Sequence, residues 1–195
     1  MRQAGPAPSG WRCRLHGAVY PLRTGYSLSQ DGLWALVTDA VLPAWLPWPL
    51  PVAWLVTGFA GAGDDLSGSH ACVVALSGPN PVGGPADMLL ISEEPGIGLG
   101  ARFAGITGPD PGAGFATGPA HAFVSFAHHE FPLWHVAAPD RAAFAGEVLG
   151  NWLWIVLWPD TAGMLLVEML SLRDLRDPGQ ELDLPFGAPS PRLPG

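Results

Sequence analysis

Residues 151–159 read NWLWIVLWP, and this stretch decides the fold. In an extended chain successive side chains point to opposite faces. Trp152, Trp154, Val156 and Trp158 then share one face, and Leu153, Ile155 and Leu157 share the other. Both faces are apolar, so the segment is expected as a central, buried strand, or as one that gives a face to a contact surface. Pro159, Asp160 and Gly163 mark a turn, after which MLLVEMLSLRDL (164–175) is expected to return.

Outward from this strand the chain repeats the same theme. VAWLVTGFAG (52–61), HACVVALSG (70–78) and DMLLIS (87–92) are apolar runs bounded by Gly, Pro, Asp or Ser, the mark of short strands. GAGDDLSGS (61–69) reads as a hairpin connection between the first two. HAFVSFA (121–127) and FPLWHVA (131–137) are further strand candidates. RAAFAGEVLG (141–150) fits a short helix or half a hairpin, and periodicity does not separate them. Residues 96–120, rich in Gly and Pro, are expected as a long ordered loop with a helical turn near Leu99–Phe103. A helix is expected over 31–42, capped by Asp31 and stopped by Pro43, because Leu33, Trp34, Leu36, Val37, Ala40 and Val41 recur at helical spacing. LPWPLP (46–51) must be extended. Short strands with one or two helices make an α+β domain dominated by antiparallel sheet. The expected layout is a flexible lead over 1–22, one domain over 23–184 and a loose tail over 185–195.

Composition narrows the chemistry. The 195 residues are 48% hydrophobic, while 26 Gly and 22 Pro imply many turns and long loops. All nine basic residues are arginine, so lysine chemistry (a Schiff base, a PLP anchor, a P-loop) is absent. The arginines are scattered and the net charge is −8, so nucleic acid and anionic membranes are poor partners. Cys13 and Cys72 make no disulfide framework, and no secretory h-region opens the chain; a reducing cytoplasm is expected. Ala44 to Gly63 carries no charge, but Pro47, Pro49 and Pro51 break any spanning helix.

Several residue sets invite chemistry. Cys13 and His16 form C-x-x-H, half of a zinc site, and His70 with Cys72 could supply a second pair. His121, His128, His129, Glu130 and His135 crowd fifteen residues, without an established metal spacing, and read as a solvated loop. Gly96, Gly98, Gly100 and Ala101 match a dinucleotide fingerprint, but Glu93 and Glu94 would repel a phosphate there. Asp64, Asp65 and Ser67 could ligate a hard cation or cap their own turn. Trp45, Trp48 and Trp54 cluster around the prolines and could line a groove or fill a core. G-x-S-x-G is absent; a Ser-His-acid set could assemble in space, but nothing in the sequence picks the serine.

Six segments together carry a resemblance: WLPWPLPVAWLVTGFAGAGDD, SGPNPVGGPADMLLISEE, PGIGLGARFAGITGPDPG, PLWHV, AGEVLGNWLWIVLWPD and LRDLRDPG. The chain resembles an actinobacterial family of unknown function from about Trp11 to Leu193. That resemblance implies an N-terminal zinc-ribbon-like segment in which WRCRLHG holds the second ligand pair, Cys13 and His16. The first pair is missing from the sequence, so the metal is expected only if the chain starts upstream of Met1. As written, no cofactor is expected.

The reading is a cytoplasmic binding or protein-interaction module with a degenerate ribbon at its start. Trp45, Trp48, Trp54, Asp64 and Asp65 are the candidate contact residues for a protein or a small apolar ligand. Two rivals stand beside it. One is a metal-dependent hydrolase built from His128, His129, Glu130, Asp64 and Asp65. The other is a homo-oligomer that buries the Trp152, Trp154 and Trp158 face.

Overall fold

The computed structural model describes residues 12–13, 17–18, 20–64, 66–177 and 183–194. The 151–159 stretch forms β11 (Asn151–Trp158), hydrogen-bonded between β7 (Pro85–Glu93) and β10 (Ala142–Val148), antiparallel to both. Around it lie β3 (Leu22–Arg23), β4 (Trp45–Pro47), β5 (Leu55–Asp64), β6 (Gly68–Pro79), β8 (Ala122–Phe126), β9 (His129–Val136) and β12 (Leu170–Asp174). The ten strands run in the order β3-β5-β6-β7-β11-β10-β9-β8-β12-β4. Every pairing is antiparallel except β8 with β12. A separate ladder joins β1 (Arg12–Cys13) to β2 (Gly17–Ala18). A mainly antiparallel sheet with two short α-helices fits the expected α+β class.

The sheet curls. β4, at one end of the strand order, packs over β6 and β7. Register shifts in the β5–β6 pair, at Val56/Gly58 and Ala62/Gly63, help it bend. Inside the curl Phe59, Val74, Leu76, Met88, Leu90, Leu153, Ile155 and Leu157 form one core with Trp45, Trp54 and Leu133. On the outside Ala60, Ala62, Ala71, Ala75, Ala143 and Ala145 join Ile91, Trp154, Val156 and Trp158 in a second core. The small outer residues leave room for a covering layer.

That layer is the 96–120 loop and its helix α2 (Leu99–Ala104). Gly100 lies flat on Trp154; a Cβ there would stand 2.1 Å from the indole. Phe115 packs edge-on to both Trp134 and Trp152, and Asp110 accepts the Trp152 indole N–H at 2.8 Å. The guanidinium groups of Arg141 and Arg192 lie 5.1 and 4.9 Å from the Trp158 ring centroid. The tryptophan face expected to suit a symmetric partner is therefore covered by the chain's own segments.

Three local expectations are corrected, and one left open is settled. The helix α1 spans Gln30–Asp39, and Ser29, not Asp31, caps it, accepting the Gly32 N–H at 3.3 Å. It stops before Pro43 because Ala40 turns extended and bridges Ser69, whose carbonyl accepts the Val41 N–H. Residues 141–150 belong to a hairpin whose turn, Leu149 and Gly150, takes φ of 53° and 79°. The return after Gly163 is split into a 3-10 helix, Asp160–Leu166, and β12. The segment expected as a loose tail lies along β5: Pro185 accepts from Val56, while Gly187 and Ser190 donate to Val56 and Thr57. Phe186 packs near Phe59, and Arg192 reaches Asp87 at 2.9 Å. This docking closes a sheet edge that would otherwise be an open template.

Gly100→Ala should destabilise the fold by about 1–3 kcal/mol in urea titration, since backbone or Trp154 must move to admit the methyl. A change under about 0.5 kcal/mol, the scale of surface substitutions, would show that α2 is not held against the sheet.

Candidate functional site

The strand registers define two ends of the sheet. At one, here the upper, β5 turns into β6, β7 finishes, β8 turns into β9 and β10 turns into β11. At the lower end β6 turns into β7, β11 runs into the 3-10 helix and β5 begins.

The tryptophans expected to meet a ligand fall mainly inside. Trp45 and Trp54 are each 2% exposed. Trp45 meets Phe126 edge-on at 4.8 Å, and Trp54 lies against Gly78, where a Cβ would stand 2.5 Å from the ring. Trp48 is half-buried against the same core. Trp45 and Trp54 thus serve packing and offer no open face to a ligand. Proline spacing and ring number read the same in a groove and in a core, so sequence could not separate these roles.

Asp64 sits at the upper end, and its Oδ1 accepts the backbone N–H of Ser67 and of Leu66, each at 2.8 Å. Those two bonds, that to Ser67 foremost, hold its carboxyl below the usual carboxylate range. Its Oδ2 is buried without a hydrogen-bond partner. Asp65 lies outside the described residues, as do His16 and the side chain of Cys13. Cys72 faces the inner core, and burial pushes its thiol up to about 12. His70 does not join it in a metal set; among the described residues no group of three or more His, Cys, Asp or Glu is placed to hold a metal ion.

His70 instead has three partners of another kind. Its Nε2 is 2.9 Å from Ser67 Oγ. Its Nδ1 is 3.0 Å from Glu94 Oε2. Tyr20 stacks on the ring at 5.0 Å, tilted by 14°. The Glu94 N–H donates to the His70 carbonyl, so the cross-strand register itself seats the carboxylate beside the imidazole. Sequence reading passed over this set. S-x-x-H is a faint signal, and Glu94 enters only once β6 and β7 are in register.

His128, His129 and Glu130 stand exposed at the β8–β9 turn. In strand order β6, β7, β11 and β10 separate β9 from the strand that carries Asp64. Also at the upper end is an open groove of about 550 Å³ with Phe126, Ala127 and Leu172 as its apolar lining. Its charged lining is Arg173, Asp174, Arg176 and Asp177; Arg176 grips Asp174 at 2.8 to 3.2 Å, and Asp174 also accepts from Ala44.

The dinucleotide-like glycines open α2, but its first turn is already filled. Glu93, fully buried, accepts the N–H of Leu99 at 2.6 Å and of Gly100 at 3.1 Å. Burial raises its pKa from 4.5 to about 7 despite these bonds. Between those values the folded chain holds a proton that the unfolded chain has released, so stability falls as pH rises through that window. Glu93→Gln cannot ionise and should remove this slope. From pH 4.5 to 7.5 the wild type should lose up to about 3 kcal/mol relative to the variant in urea titrations. Parallel stability curves would mean that Glu93 ionises as freely folded as unfolded.

No helix among the described residues is long and apolar enough to cross a membrane. No curated protein and no solved structure matches the chain. A family model, described as a family of unknown function (DUF6758), matches residues 1–193. With nearly its whole length so matched, the chain belongs to that family of unknown function.

Proposed function

We propose that this chain is a protein-interaction module that docks through the lower end of its sheet. One observation carries the reading. Among the described residues eleven large hydrophobic side chains are exposed, and six lie on connections or strand starts at that end: Val52, Leu55, Val82, Met164, Val167 and Met169. Val52 is 89% and Val167 73% exposed. Scattered single exposures are ordinary, but a concentration at one end suits a partner.

The scaffold beneath these tips is firm. The Asn80 amide donates to Thr161 Oγ1 at 2.9 Å, tying the β6–β7 turn to the 3-10 helix. Trp54 against Gly78 ties the loop of Val52 to β6. Apolar tips on a fixed base suit an apolar patch on another protein, with methionine adapting to its shape. The proline-rich segment then acts by holding Val52 out rather than by touching the partner with its rings. The reading assigns the protein to a reducing cytoplasm, where a buried free thiol such as Cys72 persists.

A photo-crosslinking residue at Val82 or Val167, in the native host, should give one discrete adduct. The same residue at Leu66, exposed at the upper end, should give none. Val52→Asp with Val167→Asp should abolish the adduct while stability shifts by no more than about 0.5 kcal/mol per site. Equal adducts at both ends, or an adduct that survives the aspartates, would refute the reading.

A further inference from the structure

We propose that Ser67, His70 and Glu94 form a serine-type acyl-transfer site that acts on small activated esters. The geometry pairs a nucleophile with a base through a hydrogen bond and sets a carboxylate beside the far ring nitrogen, close to it but not aligned for a hydrogen bond. Ser67 Oγ is 2.9 Å from His70 Nε2, and His70 Nδ1 is 3.0 Å from Glu94 Oε2. A carboxylate at Nδ1 favours the tautomer that carries its proton there, which leaves Nε2 open to take the serine proton.

Each member is positioned by a different device. His70 is fixed on β6 and its ring is stacked on Tyr20. Glu94 is seated by its own N–H to the His70 carbonyl. Ser67 is fixed by the Asp64 carboxylate, which binds its backbone N–H. The Asp64 carboxylate also interacts with the Ser67 side chain and lies close enough to His70 for the two to attract. The site is reachable: Ser67 is half-buried, and the side chains of His70 and Glu94 are 16% and 45% exposed.

The chemistry balances within these groups. Ser67 Oγ attacks the ester carbonyl carbon and passes its proton to Nε2. The bond to the leaving alkoxide breaks, and that oxygen takes the proton from Nε2. Water then attacks the acyl-serine, Nε2 holds its proton, and the acid departs as the serine oxygen is reprotonated. The substrate class follows from the turn itself. The Leu66 and Ser67 amides of this turn are spent on Asp64 and cannot bind an oxyanion. A missing donor of that kind costs about 100- to 1,000-fold in rate. The site therefore suits esters with good leaving groups and not peptide amides.

The test is a fluorophosphonate probe on the full chain, read by intact mass and peptide mapping. The Oγ–P bond forms, the P–F bond breaks, and the proton passes to His70 as fluoride leaves. Wild type should gain one label, at Ser67, and Ser67→Ala none. His70→Gln and Glu94→Gln, confirmed folded by thermal melts, should label about 100-fold and about tenfold more slowly. Glu94→Gln, at a half-exposed site, keeps the test open if the histidine variant does not fold. An unlabelled Ser67 in wild type would overturn the proposal. So would labelling of Ser67 at the wild-type rate in either glutamine variant, which would mark it as a merely exposed serine.

Discussion

Two hydrogen bonds from the first turn of α2 to the Glu93 carboxylate hold the outer layer of the molecule in place. β11 is apolar on both faces, so it needs cover on both. The curl of the sheet supplies one side. The other depends on a Gly/Pro-rich loop with little regular structure, which must be pinned. Glu93 pins it at the start of α2, Gly100 lets it lie flat on Trp154, and Asp110 fastens it again at Trp152. The buried carboxylate is an expensive anchor, and its raised pKa records that expense.

Glu93 and Glu94 are neighbours with opposite work. Glu93 faces the outer core and accepts backbone N–H groups in a dry setting. Glu94, one residue on, faces His70 across the register with β6. The alternation of a strand thus sends one carboxylate to stability and the next to the polar upper end. The lower end carries apolar tips instead. The proposed interaction surface and the proposed reactive cluster thus lie at opposite ends of the sheet.

Much of the fold was legible because its signals are local. The apolar runs near 52–61, 70–78, 87–92 and 151–159 lie on β5, β6, β7 and β11, and their turn residues bound them. What was misread or left open turned on a neighbouring cap or on a tertiary partner. Asp31 looked like the cap because the helical period begins beside it, yet Ser29 has the cap geometry. Residues 141–150 were ambiguous until β11 offered an edge to pair with. The 185–194 segment looked loose because proline and glycine dominate it; its order comes from β5.

The site was far less legible. Tryptophan and proline pointed to a ligand surface, while Trp45 and Trp54 serve the core. Asp64 was read as a cation ligand or a turn former and as a contact residue; it caps its own turn, but its neighbours Ser67, His70 and Glu94 meet only through register, which no spacing rule reports. The histidines of 121–135 crowded the sequence and fall into two pairs at opposite ends of the β8–β9 hairpin, His121 with His135 and His128 with His129.

Hydrogen exchange on wild type and Glu93→Ala tests the pinning of the outer layer most directly. The account predicts that amides of residues 99–115 lose protection by more than about tenfold, while those of β5 and β6 stay within about twofold. Wild-type protection of 99–115 in the variant would contradict it, and would mean that the outer layer holds without its carboxylate.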